Sequence, residues 1–364
     1  MIVMKFGGTS VQDATAIRKV IEIVRGRLPE KPLVVVSALA RVTRLLVEAT
    51  SSLEQDALLE AVRKRHMEVC RDLLSGDLLA ETCGKVEAIL ASIAGSRDEP
   101  TVISAGELMS STIVSAAFNA SGISCKWLDA RQMVLTQGDR MSGRPDLDKT
   151  AAAVRAAASS FDGLLLTQGF IATSADGLPA VLGFEGSDYS AAIFGMSLDA
   201  SRVEIWTDVD GIRTADPRVV SDTCRIGRVS YDEAAEMARL GARVLHPMTI
   251  YPARMKNIPI YVLNTSNPSC EGSCVVRDEA SSDGPKSVAL LTLKDSVEIG
   301  SKALAGETAG KTLVSVIGRN MGEREMRVME AFGTPEVSPL SISVGVPAEQ
   351  ANDIANQIHK SIFL

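Results

Sequence analysis

Short apolar strands alternating with amphipathic helices predict an α/β fold on a mainly parallel or mixed sheet, followed by a smaller α+β unit. Three observations carry this prediction. The run LVVVSA at 33–38 is almost continuously apolar, as in strands covered on both faces; the opening MIVMKFGGTSV reads strand, glycine turn, helix; and the pattern changes after the linker-like DEASSDGPK at 278–286. At 364 residues the chain exceeds what one core usually fills, so a main domain and a smaller one are expected.

Residues 2–6 form the first strand. Ser10, with Asp13 three positions on, has the spacing of a capping box, and Val11, Ala14, Ile17, Ile21 and Val24 share one helical face. Helical segments follow around 53–74 and 78–93. TVIS at 101–104 reads as a strand leading into a helix that ends at Gly122, and CKWLD at 125–129 reads as the next strand. GLLLTQGFIA at 163–172 turns at Asp176 and Gly177 into LPAVLG, a hairpin. GSDYSAAIFGMSL is helical, RVEIWTD a strand, YDEAAEMARLG a helix closed by Gly241, and IPIYVLN a strand. Beyond the linker come strands VALLTL and TLVSVIG, a helix at GEREMRVMEAF, a strand at LSISVGV and a helix over 348–363.

Composition narrows the function. A formal charge of -7 argues against sequence-independent nucleic-acid binding, which needs a basic face, so a small-molecule partner is favoured. The first residues lack a basic region followed by a long apolar core, and no apolar run reaches the length of a membrane span, so a cytoplasmic protein is expected. The six cysteines are scattered as reduced thiols usually are, and Cys270 and Cys274 have no second pair or nearby His for zinc. TDVDG lacks the glycine position and closing Glu of a calcium loop, and no Ser-His-Asp motif is present around His246 or elsewhere.

Ligands of α/β sheets bind beyond the carboxyl ends of the strands, and polar residues recur there. They are Lys5, Gly7, Gly8, Thr9 and Ser10 after the first strand, Ser37 after the second, Glu107 after TVIS, Gly186, Ser187 and Asp188 after the hairpin, and Thr207 and Asp208 after EIW. Glycines admit close backbone approach, a helix start adds its positive end and Lys5 adds a full charge, which together suit a phosphoryl group. Neither a P-loop nor G-x-G-x-x-G is present. Each piece alone also fits an ordinary turn or an acid in a first helical turn.

In order, KFGGTSV, VVVSA, SAGELMS, TQGF, GSDYSA, IWTDVDGIRTADPR and GARVLHP resemble the aspartokinases of the amino-acid kinase superfamily, over residues 2–277. The resemblance implies a three-layer αβα catalytic domain at 1–278, with a substrate side at about 1–183 and a nucleotide side at about 184–278. It implies ATP-dependent phosphorylation of the side-chain carboxylate of L-aspartate, with Mg²⁺ on the nucleotide and no metal held by protein side chains alone. By motif match, Lys5 would stabilise the transition state and Asp188 would hold it in place. Gly7 and Gly8 would contact phosphates; Ser37, Ala38, Thr43, Glu107, Phe170, Gly186 and Ser187 would form the substrate side, with Glu107 on the ammonium. Thr207, Asp208, Arg213, Asp216, Arg218 and Arg243 would serve ATP. A carboxylate acceptor is already ionised at neutral pH, so no general base is needed.

Three positions depart from the aspartokinase pattern. Phe184, followed by Glu185, stands where an arginine usually grips the substrate carboxylate; Arg213 replaces a common Tyr and Arg243 a usual Lys. Arg41, Arg44 and Arg144 are basic side chains available to answer that carboxylate. Alternatives are a paralogue acting on a different carboxylate, or a weakly active amino-acid sensor. After a linker at 279–286, residues 287–364 resemble a shortened ACT region, with one later unit and a remnant of the earlier one. ACT units imply a homodimer and a possible feedback site.

Overall fold

The computed structural model describes residues 1–159, 161–183, 186–242, 245, 247–277, 283–292, 298–299, 302–303 and 311–364. Phe184, Glu185, Arg243 and His246, all singled out in the sequence, lie outside the described residues. The chain divides into two compact units, Met1–Asp208 with Tyr251–Cys270, and Val209–Ile250 with Glu271–Leu364.

In the first unit six strands run in the order Ile260–Asn264, Val203–Thr207, Ile2–Phe6, Pro32–Val36, Leu164–Gln168 and Cys125–Trp127. Every pairing among them is parallel. The strand Pro32–Val36 is buried at all five positions, as its unbroken apolar run predicts. A smaller sheet, ordered Arg144–Pro145, Leu135–Gln137, Ile171–Ser174 and Pro179–Val181, contains the expected hairpin, with Gly177 at a φ of 82° in its turn. The segment read as one strand from 163 is therefore two, broken at Gly169 and Phe170 where the chain passes from one sheet to the other.

Two sequence assignments change here. Gly8–Val11 is a 3-10 turn and the α-helix spans Ala14–Arg25, capped by Asp13, whose carboxylate accepts the Ala16 N–H at 2.8 Å. Ser10 instead shares a hydrogen bond with the Thr265 hydroxyl at 2.7 Å, so no Ser10–Asp13 capping box forms. TVIS is not a strand: it lies in the continuous helix Glu99–Ala120, begun at Asp98 with Pro100 in its first turn. Local β-propensity loses to tertiary burial, since 17 of this helix's residues are buried. It has the length and hydropathy of a membrane span, but 89% of its most apolar window is buried, as in a core helix.

The second unit pairs Arg228–Ser230 in parallel with Ser273–Val276. Helix Tyr231–Arg239 follows, started by a reciprocal Ser230–Glu233 capping box. An antiparallel sheet runs Gly284–Thr292, Lys311–Arg319, Ser341–Pro347 and Glu336–Ser338, with helices Glu323–Glu330 and Ala351–Phe363. The tail pattern read from sequence is present, with an added edge strand and a last helix that starts at Ala351 rather than 348. Val288, Val314, Val316, Ile342, Ile354 and Ile358 lie in its core, and Ala215 and Val220 belong to the same core.

Candidate active site

The first strand, Ile2–Phe6, pairs on one side with Pro32–Val36, reached next in the chain, and on the other with Val203–Thr207, reached much later. The direction of winding reverses there, and the crevice beyond its carboxyl end is where such sheets bind ligands. Lys5 sits at that end. Its ammonium is 2.5 Å from an Asp188 carboxylate oxygen, with side chains only 12% and 15% exposed. Asp188 occupies the first turn of helix Gly186–Ser197, where the helix dipole favours a negative charge.

The loop after Pro32–Val36 is tied to the same place. Ser37 N–H donates to Phe6 O at 3.1 Å and Ala40 N–H to Gly8 O at 3.1 Å. A Cβ on Gly8 would stand 2.9 Å from Ala38 O, so the close approach requires glycine. Ala38 N–H donates to Glu107 Oε1 at 3.3 Å. Glu107 is 3% exposed, and its Oε2 has no hydrogen-bond partner among the described residues. Burial pushes its carboxyl up to about 8, against the smaller opposing effect of the Ala38 amide. The reading of Glu107 as a solvated first-turn residue is thereby excluded, because it lies inside the long helix rather than at its start.

Phe170, 8% exposed, adopts a φ of 70° and its N–H donates to Ser190 Oγ at 2.8 Å. A Cβ on Gly169 would lie 2.7 Å from Ser187 Cβ, and one on Gly186 would lie 3.3 Å from Phe170 Cδ2. This loop thus seats Phe170 against Gly186 and Ser187. Thr43, the second residue of helix Val42–Ser51, is partly exposed.

At the other neighbour of the first strand, Gly7 N–H donates to Trp206 O at 3.3 Å, and Thr207 Oγ1 to Asp208 Oδ1 at 3.2 Å. A cavity of about 340 Å³ opens beside them, lined by Thr9, Ser10, Lys19, Thr207, Asp208 and Thr265 among others. Thr265 follows the apolar strand Ile260–Asn264, as Ser37 and Thr207 lie at the ends of theirs, so the rule that ligands bind beyond strand ends points to it too, whereas Glu107 reaches the site from inside a helix.

In the second unit Arg213, Asp216 and Arg218, expected on the nucleotide side, are engaged with one another and with their own loop. Arg218 forms a fork with Asp216, the closest contact being 2.5 Å. Arg213 Nε donates to Thr223 Oγ1 at 2.6 Å, and a second guanidinium nitrogen donates to Thr223 O. Among the described residues no group of three or more His, Cys, Asp or Glu side chains is arranged to hold a metal ion.

The sequence profile of the amino acid kinase family matches residues 1–264. The chain belongs to the amino acid kinase family. An aspartokinase from Chlamydia trachomatis is 36% identical over 300 residues, covering 80% of this chain and 68% of that protein. Lysine-sensitive aspartokinase 3 of Escherichia coli is 38% identical over 291 residues, covering 76% and 64% respectively. A chloroplastic bifunctional aspartokinase/homoserine dehydrogenase of Zea mays is 32% identical along 98% of the chain, which spans 41% of that relative's length. Among solved structures, E. coli aspartokinase III in complex with aspartate and ADP superposes with a TM-score of 0.85 at 28% identity, covering the whole of both chains. These likenesses bear out the resemblance read from the motif blocks.

Proposed function

We propose that the chain is an aspartate kinase, moving the γ-phosphoryl group of ATP to the side-chain carboxylate of L-aspartate to give 4-phospho-L-aspartate. The observation that carries this reading is Glu107. A buried carboxyl with one unpaired oxygen suits a ligand that brings its own ammonium, as an amino acid does. Relatives named aspartokinases, and the fold shared with a structure holding aspartate and ADP, support the same substrate pair.

The chemistry asks little of the protein beyond position and charge. The acceptor carboxylate attacks the γ-phosphorus in line while ADP leaves, and no proton need be removed from it. Lys5 meets the charge on the transferring group's oxygens, and Asp188 fixes Lys5. The backbone at Gly7 and Gly8 lies close to the phosphates, and Ser37, Ala38, Thr43, Phe170, Gly186 and Ser187 shape the substrate side. Thr207 and Asp208, beside the polar cavity, serve the nucleotide, and the motif match assigns Arg213, Asp216, Arg218 and Arg243 to it as well. Mg²⁺ enters on the nucleotide phosphates as part of the substrate.

In this reading residues 1–278 are the catalytic domain and 287–364 an ACT-like region that pairs two chains, in a cytoplasmic enzyme of lysine, threonine and methionine synthesis. The test is ATP- and aspartate-dependent acyl phosphate, trapped with hydroxylamine as the hydroxamate. Lys5→Ala should lower kcat by roughly 10²–10³-fold with little change in fold. Turnover with another acid but none with aspartate would overturn the assignment.

A further inference from the structure

An α-amino acid presents two charges on one carbon, and Glu107 answers only the ammonium. Lys5 is already neutralised by Asp188 at 2.5 Å. Among the described residues of the first unit, two non-glycine residues at the carboxyl edge of the six-stranded sheet have a positive φ, Phe170 at 70° and Arg41 at 69°. A left-handed arginine costs free energy that glycine would avoid, and such strain persists where surrounding structure enforces it, often at a ligand site. Arg41 is exposed and its guanidinium has no hydrogen bond or ion pair among the described residues, its carbonyl accepting the Leu45 N–H at 3.3 Å. It is the next residue after Ala40, whose N–H is held by Gly8 O, and it lies three residues from Ala38, whose N–H is held by Glu107.

Resting on the aspartate-kinase reading, we propose that Arg41 receives the α-carboxylate of the substrate whose ammonium Glu107 takes. The pair then selects α-amino dicarboxylates over acids with an ammonium alone. Two other arginines compete for the role and fit it less well. Arg44 lies on helix Val42–Ser51 opposite the buried side made by Val42, Leu46 and Ala49. Arg144 is on the edge strand of the small four-stranded sheet.

The discriminating pair of acceptors is aspartate and β-alanine, which is aspartate without its α-carboxylate. Wild type should favour aspartate strongly. Arg41→Gly, which also relieves the left-handed backbone, should raise KM for aspartate by roughly 30- to 100-fold, with kcat within about threefold and the KM for ATP unchanged. The preference for aspartate over β-alanine should collapse by a similar factor, and its melting temperature should not fall. Arg41→Lys, which keeps the charge without the fork, should lie between. Arg44→Ala serves as a control with wild-type constants. An unchanged aspartate to β-alanine ratio in Arg41→Gly would overturn the assignment of Arg41 while leaving the reaction intact. Absence of wild-type turnover with aspartate would instead overturn the reading of the reaction on which this one rests.

Discussion

Glu107 shows how much one side chain's surroundings change its chemistry. In the sequence it is an acid behind SAG; in the fold it is buried, half-satisfied and pushed up to about 8. Only the ionised form attracts an ammonium, so KM for aspartate should fall as pH rises through about 8 and then level off. The stability effect has the opposite sense. Because the folded pKa is raised from 4.5, the folded state holds the proton more tightly than the unfolded one; stability is full below 4.5 and is lost as pH climbs through about 8. Glu107→Gln should therefore flatten thermal stability against pH across that window while raising KM for aspartate by about 10²-fold. A pH series of melting curves, with kinetics at each pH, checks both. Most residue types at the site were legible because polar residues recur in order after successive apolar strands, although Glu107 was found behind TVIS, which is helix rather than strand. The state of Glu107 was not, since burial arises from the whole helix Glu99–Ala120 and the loop packed on it.

At the scale of elements, the same helix is where reading by pattern went astray. TVIS has strand-like residues, yet Asp98 and Pro100 start a helix there and tertiary contacts bury it. Arg140 holds this start in place: its guanidinium bonds both Asp98 oxygens at 2.8 and 2.7 Å and the Pro179 carbonyl at 2.8 Å. It thus links the helix that carries Glu107 to the strand Pro179–Val181, whose partner Ile171–Ser174 begins just after Phe170. The Arg140 pairing is the largest cause holding the Asp98 carboxyl down at about 2, so its contribution is present above the ordinary carboxylate range and lost as pH falls through about 2. Arg140→Ala should lower melting temperature modestly at neutral pH, less at pH 3, and raise KM for aspartate more than it lowers kcat. The first helix offers a cleaner case, because Asp13 caps it where Ser10 was expected to. Asp13→Ala should cost about 1 kcal/mol, measured by urea unfolding, whereas Ser10→Ala would act through the buried Thr265 contact instead.

At the scale of the whole molecule, composition and packing draw different lines. The polar run at 278–286 marks a change of composition, whereas packing gathers Val209–Ile250 with Glu271–Leu364. No local pattern announces this, because the ties are long-range and mostly polar. Thr214 Oγ1 meets His359 Nε2 at 2.8 Å, Val288 N–H donates to Thr214 O at 2.7 Å, and Asn356 Nδ2 donates to Val219 O at 2.8 Å. The loop that contains Asp216 and Arg218 is thereby fastened to the last helix, Ala351–Phe363, and Ala215 and Val220 complete that unit's core. If those two residues serve ATP, a change in the last helix must be felt at the nucleotide. His359 is the sharpest probe. Burial lowers its pKa, so it stays neutral and hydrogen-bonded at physiological pH, and the stability it gives is lost as pH falls below its ordinary range. His359→Ala removes a buried partner from Thr214 and leaves a void, which should cost about 2–3 kcal/mol of stability. It should also raise KM for ATP several-fold while leaving KM for aspartate near its wild-type value. Equal effects on both constants would mean that the last helix supports the fold as a whole rather than the nucleotide loop.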